Sequence, residues 1–287
     1  MSSSNIVKSG SQTVGSGGSL FGIGAKKPHY QYEYYHDSSV KGSATVIILF
    51  VVGTNMSCTA YSDLAANCVS GQSTVWVTVD NNPGNIVKLS AEDTAEAFND
   101  IKANITERLG DTASSTATIL IGGHSAGGFS AIAAMQENGG DLSFKPAGFI
   151  AADPLGKRGV GHVPALKIEC PTFAMGFTIE TCLVTLDQAA LAAYNVTSNS
   201  NRVMMQIRNL MNFGNQITHC IFSTEGCGVI CPSHEAGAWA LPVMGKFCIL
   251  FVGSIQGEKT TRAQYVEATG DNGDLVNVFY GNETATV

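Results

Sequence analysis

Short, continuous apolar runs alternate along this chain with stretches whose apolar residues recur every three or four positions. The runs SATVIILFVVG, STVWVTVD, TATILIGG, AGFIAADP and CPTFAMGF carry β-branched residues with little polar alternation. They predict strands buried on both faces. HYQYEYYHD alternates aromatic and polar residues, as an edge strand does. Between the runs, AYSDLAANCVS, SAEDTAEAFNDIKANITERLG, GFSAIAAMQEN, TLDQAALAAYN and NRVMMQIRNLMNF have helical spacing. The second of these opens on a serine cap with an acidic first turn and stops at Gly110. ITHCIFSTEG predicts a final strand, and residues 236–255 a last, buried helix.

Strands alternating with helices predict an α/β fold, with a mostly parallel central sheet covered by helices on both faces. No composition break divides residues 28–287, which are expected to form a single domain after a flexible Ser/Gly-rich tail at 1–27. In such a sheet, ligands gather at the carboxyl ends of the strands. The residues that follow each strand therefore carry the information about function.

Composition narrows the picture. Of 287 residues, 44% are hydrophobic and 14% charged, which excludes a disordered chain. A net charge of -7 without a Lys/Arg block argues against nucleic acid as a partner. Pro242 and Lys246 interrupt the longest apolar stretch, so no integral membrane segment is expected. The N-terminus lacks a basic start followed by an apolar run, which favours a cytoplasmic over a secreted setting. Eight cysteines leave both settings open. Cys58/Cys68 and Cys170/Cys182 are spaced like local disulfide loops, while buried free thiols are the alternative. CGVIC has no second Cys/His pair at zinc-like spacing, so no metal is expected.

The chemistry centres on GGHSAGG, where Gly123-His124-Ser125-Ala126-Gly127 matches G-x-S-x-G between a predicted strand and a predicted helix. A nucleophilic serine there has to project from a sharp turn. Residues two positions to either side must be small to clear the neighbouring strand and helix. The helix that starts at the serine aims N–H groups at a developing oxyanion.

On these residues the chain resembles the α/β-hydrolase superfamily. ATVIILFVVGTNMSCTAYSDLAANCVSGQSTVWVTVD is similar to its stretch from the third strand through the oxyanion loop to the fourth. IGGHSAGG is similar to its nucleophile elbow, and GDNGDL to a segment after the last helix in some members. The nearest-looking branch holds small lidless esterases similar to dienelactone hydrolases, cutinase-like polyesterases and chlorophyllases. The resemblance implies a serine esterase with no cofactor, acting on a small-molecule or lipid-like ester. It implies Ser125 as nucleophile, and an oxyanion hole formed by the N–H groups of Ala126 and Thr54, with Gly53 beside Thr54. The expected acid is Asp153, in a D-P context similar to that of chlorophyllases, with Glu180 as the alternative after the next strand.

The family's base usually sits in a Gly-His pair after the last strand, where this chain has Gly226-Cys227. A cysteine does not replace an imidazole as a proton shuttle at neutral pH. His234, before the last helix, is the expected base, with His162 as the other option. His29 and His36 precede the core strands, and His124 lies inside the elbow. His219, at the start of the predicted final strand, falls at the wrong end of the sheet. The missing Gly-His also motivates a second class of function, a catalytically silent hydrolase fold used for binding. An acyltransferase using the same serine is the third. Met204, Met205 and Met211, in the predicted helical region 186–213, are expected either to line an apolar pocket or to pack in the core.

Overall fold

The computed structural model describes residues 5–15, 29–84, 89–136, 141–155, 167–178, 189–208, 219–224 and 239–286. Its strands are β1 (Ile6–Val14), β2 (Tyr30–Asp37), β3 (Ala44–Val51), β4 (Thr74–Asp80), β5 (Ala113–His124), β6 (Gly148–Pro154), β7 (Thr172–Phe177), β8 (Arg202–Ile207) and β9 (Val276–Tyr280). They form one sheet in the order β1-β2-β4-β3-β5-β6-β7-β8-β9. The inner strands, from β4 through β3 to β8, pair in parallel. β1, β2 and β9 join antiparallel at the flanks. The fold is thus α/β with a mixed, mostly parallel sheet.

Successive side chains of a strand point to opposite faces, and here both faces are dry. In β3, Val46, Ile48 and Phe50 enter one core, while Ile47, Leu49 and Val51 enter the other. The first core is closed by α1 (Ser62–Val69), α6 (Ala240–Ile255) and α7 (Arg262–Thr269), through Leu64, Phe247, Phe251 and Tyr265. The second is closed by α2 (Ala91–Ala103), α3 (Ile105–Leu109), α4 (Ser125–Ala134) and α5 (Ala189–Val196), through Phe98, Ile101, Ile132 and Tyr194. Ser90 caps α2 by accepting the Asp93 N–H at 3.0 Å. The single helix expected from 91 to 109 breaks at Asn104, whose side-chain amide turns back to Asp100. Among the described residues no helix is long and apolar enough to cross a membrane.

The fold departs from the sequence pattern at several points. NRVMMQI is strand β8 rather than a helix. A strand buried on both faces has no polar alternation, and its methionines favour helices intrinsically, so the pattern misleads. Met204 and Met205 enter opposite cores and are packing residues; Met211 lies outside the described residues. The expected final strand is instead a short 3-10 turn, His219–Phe222. Part of the expected tail, Ile6–Val14, is the outermost strand. It carries little apolar signal because it is held by the backbone ladder to β2 and by Lys8 Nζ on Glu33 at 2.6 Å. α6 is not terminal, since α7 and β9 follow it.

The local disulfide loops do not form. Cys58, Cys68, Cys170 and Cys248 are buried thiols outside any disulfide. Cys68 lies buried in α1, which packs on α6, and burial pushes its thiol pKa up. Cys182 lies outside the described residues. Cys220 is disulfide-bonded.

Because β8 is buried on both faces, Met204→Ala and Met205→Ala are each expected to cost about 2–5 kcal/mol in urea unfolding. A one-sided helix would make one of the two changes nearly silent, and that outcome would contradict the strand.

Candidate functional site

β5 runs into α4 without a loop, and Ser125 stands at the junction with φ of 54°. A left-handed backbone at a non-glycine residue costs about 1–3 kcal/mol and persists only where its surroundings over-determine it. Here the surroundings are backbone atoms. A Cβ at Gly123 would fall 2.5 Å from the carbonyl carbon of Gly127, and one at Gly127 would strike the carbonyls of Val51 and Val52. Only hydrogen at both positions allows β3, β5 and α4 to close on the turn. Ser125 is 6% exposed.

The end of β6 lies alongside. His124 pairs with Ala152, Ser125 bridges to Pro154, and the Leu155 N–H donates to the Ser125 carbonyl at 2.8 Å. This register sets Asp153 at the same sheet edge as Ser125. Asp153 has φ of 39° and is fully buried. Its Oδ2 meets Nδ1 of His219 at 2.6 Å. His219 opens the 3-10 turn in the connection after β8, the last parallel strand.

Burial pushes the His219 pKa down to about 3, so the ring is neutral near pH 7. A carboxylate can only accept, so Nδ1 carries the proton and donates it to Asp153. The lone pair is left on Nε2. Among the described residues, neither Nε2 of His219 nor the Ser125 hydroxyl makes a hydrogen bond, to the other or elsewhere.

The turn after β3 supplies a third wall. The Cβ position of Gly53 lies 3.3 Å from Ser125 Cβ. The Gly53 N–H is engaged, donating to the Tyr61 hydroxyl at 2.8 Å. The Thr54 N–H makes no hydrogen bond among the described residues. Ala126, buried in the first turn of α4, presents one of the N–H groups that a helix start leaves without an intrahelical partner. The structure thus brings Ser125, Asp153, Ala126 and the Gly53-Thr54 turn to one edge.

His219 is the residue that the sequence pattern missed. Reading ITHCIFS as a strand put it at the amino edge; with β8 ending at Ile207, position 219 falls in the connection at the carboxyl edge. His234, Glu180, His162 and Cys227 lie outside the described residues. His29 is exposed, its Nδ1 3.3 Å from the Gly15 carbonyl, and His36 lies within β2. Among the described residues no group of three His, Cys, Asp or Glu side chains could hold a metal ion. Compared with known proteins, the chain matches no family model and no curated sequence.

The burial of His219 has a pH signature. Between about pH 3 and its ordinary value of 6.5, the unfolded chain binds a proton that the folded ring refuses. Stability from this group is therefore lost as pH falls through 6.5, at up to about 1.4 kcal/mol per pH unit. Urea unfolding at pH 7, 6 and 5 is expected to show a shallower pH slope for His219→Gln than for the wild type. Equal slopes would contradict the buried neutral ring.

Proposed function

We propose that the protein is a serine hydrolase of the α/β-hydrolase type that cleaves carboxylic esters through an acyl-enzyme. The observation that carries this reading is the buried Asp153–His219 pair at the sheet edge where Ser125 sits in a strained turn. Ser125, Asp153 and His219 also follow the chain order of the superfamily's nucleophile, acid and base. An acid can orient one imidazole, and the ring bonded to Asp153 is that of His219; we therefore assign the base to His219 rather than His234.

In this reading Ser125 Oγ attacks the ester carbonyl as His219 Nε2 takes its proton. Asp153 holds the tautomer and stabilises the imidazolium that forms. The N–H groups of Ala126 and Thr54 bind the oxyanion. Collapse passes the proton from His219 to the departing alcohol. Water then enters, gives its proton to His219, and releases the acid with Oγ restored. No step requires a metal or organic cofactor. The substrate is a small-molecule or lipid-like ester. If an alcohol or amine takes the place of water, the same acyl-enzyme makes the protein an acyltransferase.

A second reading rests on the missing hydrogen bond between Ser125 Oγ and His219 Nε2: a silent hydrolase fold that binds without turnover. Such bonds are often long before substrate arrives, so chemistry has to decide. A fluorophosphonate is expected to label wild-type protein at Ser125. Turnover of p-nitrophenyl butyrate should fall about ten-thousand-fold in Ser125→Ala and His219→Ala. Glu180→Gln and His234→Ala should stay within about threefold of wild type. A folded protein that neither labels nor turns over would establish the silent reading. Loss of activity in His234→Ala with retention in His219→Ala would move the base to His234.

A further inference from the structure

One chain of hydrogen bonds beneath the site is not used by the mechanism above. The Gly53 N–H donates to the Tyr61 hydroxyl at 2.8 Å. That hydroxyl meets His124 Nδ1 at 2.7 Å, and His124 Nε2 meets the main-chain carbonyl of His219 at 2.9 Å. Tyr61, His124 and His219 are all buried. The chain therefore runs from the oxyanion turn, through the side chain of the residue that precedes the nucleophile, to the residue whose imidazole is bonded to Asp153.

Its polarity is set by its two ends. The Gly53 amide can only donate and the His219 carbonyl can only accept. His124 must carry its proton on Nε2, leaving Nδ1 to accept from Tyr61. Burial and the neighbouring His219 ring both push the His124 pKa well down, so the ring stays neutral and keeps this single arrangement. The rings pack as well as bond. The His124 and His219 centroids are 4.4 Å apart, and Phe222 lies 5.1 Å from His124 on the far side of the same turn. A parallel staple joins the same two segments, the Thr224 N–H donating to the Ala60 carbonyl at 2.6 Å.

We propose that Tyr61 and His124 are positioning residues, a directional tether that fixes the oxyanion turn and the base-bearing turn relative to each other. Its catalytic meaning rests on the serine-hydrolase reading; its structural meaning does not. Two walls of a site built on separate connections drift apart unless linked, and a misplacement of about 1 Å costs about a hundredfold in rate. The two halves of the tether can be cut separately. His124→Asn keeps an acceptor near the Nδ1 position for Tyr61 and loses the donor to His219. His124→Gln keeps a donor near the Nε2 position and loses the acceptor for Tyr61.

The test joins activity with ¹⁵N-histidine NMR of the whole chain. Tyr61→Phe is expected to lower kcat on p-nitrophenyl butyrate about tenfold to a hundredfold with KM within about twofold. His124→Asn, which frees the base turn, should lose more on an ethyl ester than on the p-nitrophenyl ester. The poorer leaving group depends more on proton return. His124→Gln should lose equally on both. Tyr30→Phe, which removes a hydroxyl bonded to Asp100 and takes no part in the tether, should leave both rates unchanged. In NMR, wild-type His124 should appear as the neutral Nε2–H tautomer, and Tyr61→Phe should shift the ring signals of His219. That shift in a protein with no esterase activity would uphold the tether and remove the hydrolase reading. An Nδ1–H tautomer at His124, or unchanged His219 signals and rates in folded Tyr61→Phe, would overturn the tether.

Discussion

The contact on which the rest of the site depends is backbone against backbone at the end of β5. Gly123 and Gly127 meet at a distance that leaves no room for a Cβ, and Gly127 also presses on the carbonyls that end β3. That closeness lets the chain turn from strand to helix at a single residue and holds Ser125 in a left-handed conformation. It also sets the ends of β3, β5 and β6 within reach of one another, so that the Thr54 turn, Ser125 and Asp153 share an edge. The strain of about 1–3 kcal/mol at Ser125 is small beside what the two cores on either side of the sheet contribute. The turn is imposed by packing rather than chosen by the serine.

Onto that edge the fold brings an ionisable pair in a dry setting. Burial opposes charge on His219, while the Asp153 carboxylate favours it. The resting state this favours is a neutral imidazole with its proton fixed on Nδ1. In the proposed chemistry that is the form able to accept a proton at Nε2. Once protonated, the imidazolium would face a carboxylate already in contact. The Tyr61–His124 chain adds a second fixed point, since it grips the main chain of the same residue whose side chain Asp153 grips.

Much of the fold was legible in the sequence because its central strands are short, apolar and separated by well-marked helices. The cap at Ser90, the stop at Gly110 and the strand-helix junction at Ser125 were all carried by local residues. The tight strand-to-helix turn was legible for the same reason: its requirement for small residues is written at fixed offsets. What was not legible depended on register and neighbours. β8 has no polar face, so VMMQI looks as helical as it looks extended. Reading ITHCIFS, and not VMMQI, as the strand moved His219 from one edge of the sheet to the other. β1 was hidden for the opposite reason, because an edge strand held by a ladder needs little hydrophobic signal. The cysteine spacing suggested local loops, but Cys58, Cys68 and Cys170 serve as small buried side chains. The Tyr61–His124–His219 chain spans residues far apart in sequence and has no local signature.

In the proposed function Ser125, Asp153 and His219 act as one site. Its most direct measurement is a crystal structure of the protein phosphonylated by a fluorophosphonate, whose tetrahedral phosphorus stands in for the transition state. Phosphorus is expected on Ser125 Oγ, with its free oxygen within hydrogen-bond distance of the Thr54 and Ala126 N–H groups. His219 Nε2 is expected to face the leaving-group side, with Nδ1 still on Asp153. A different imidazole facing the phosphorus, or an adduct on a residue other than Ser125, would contradict this reading.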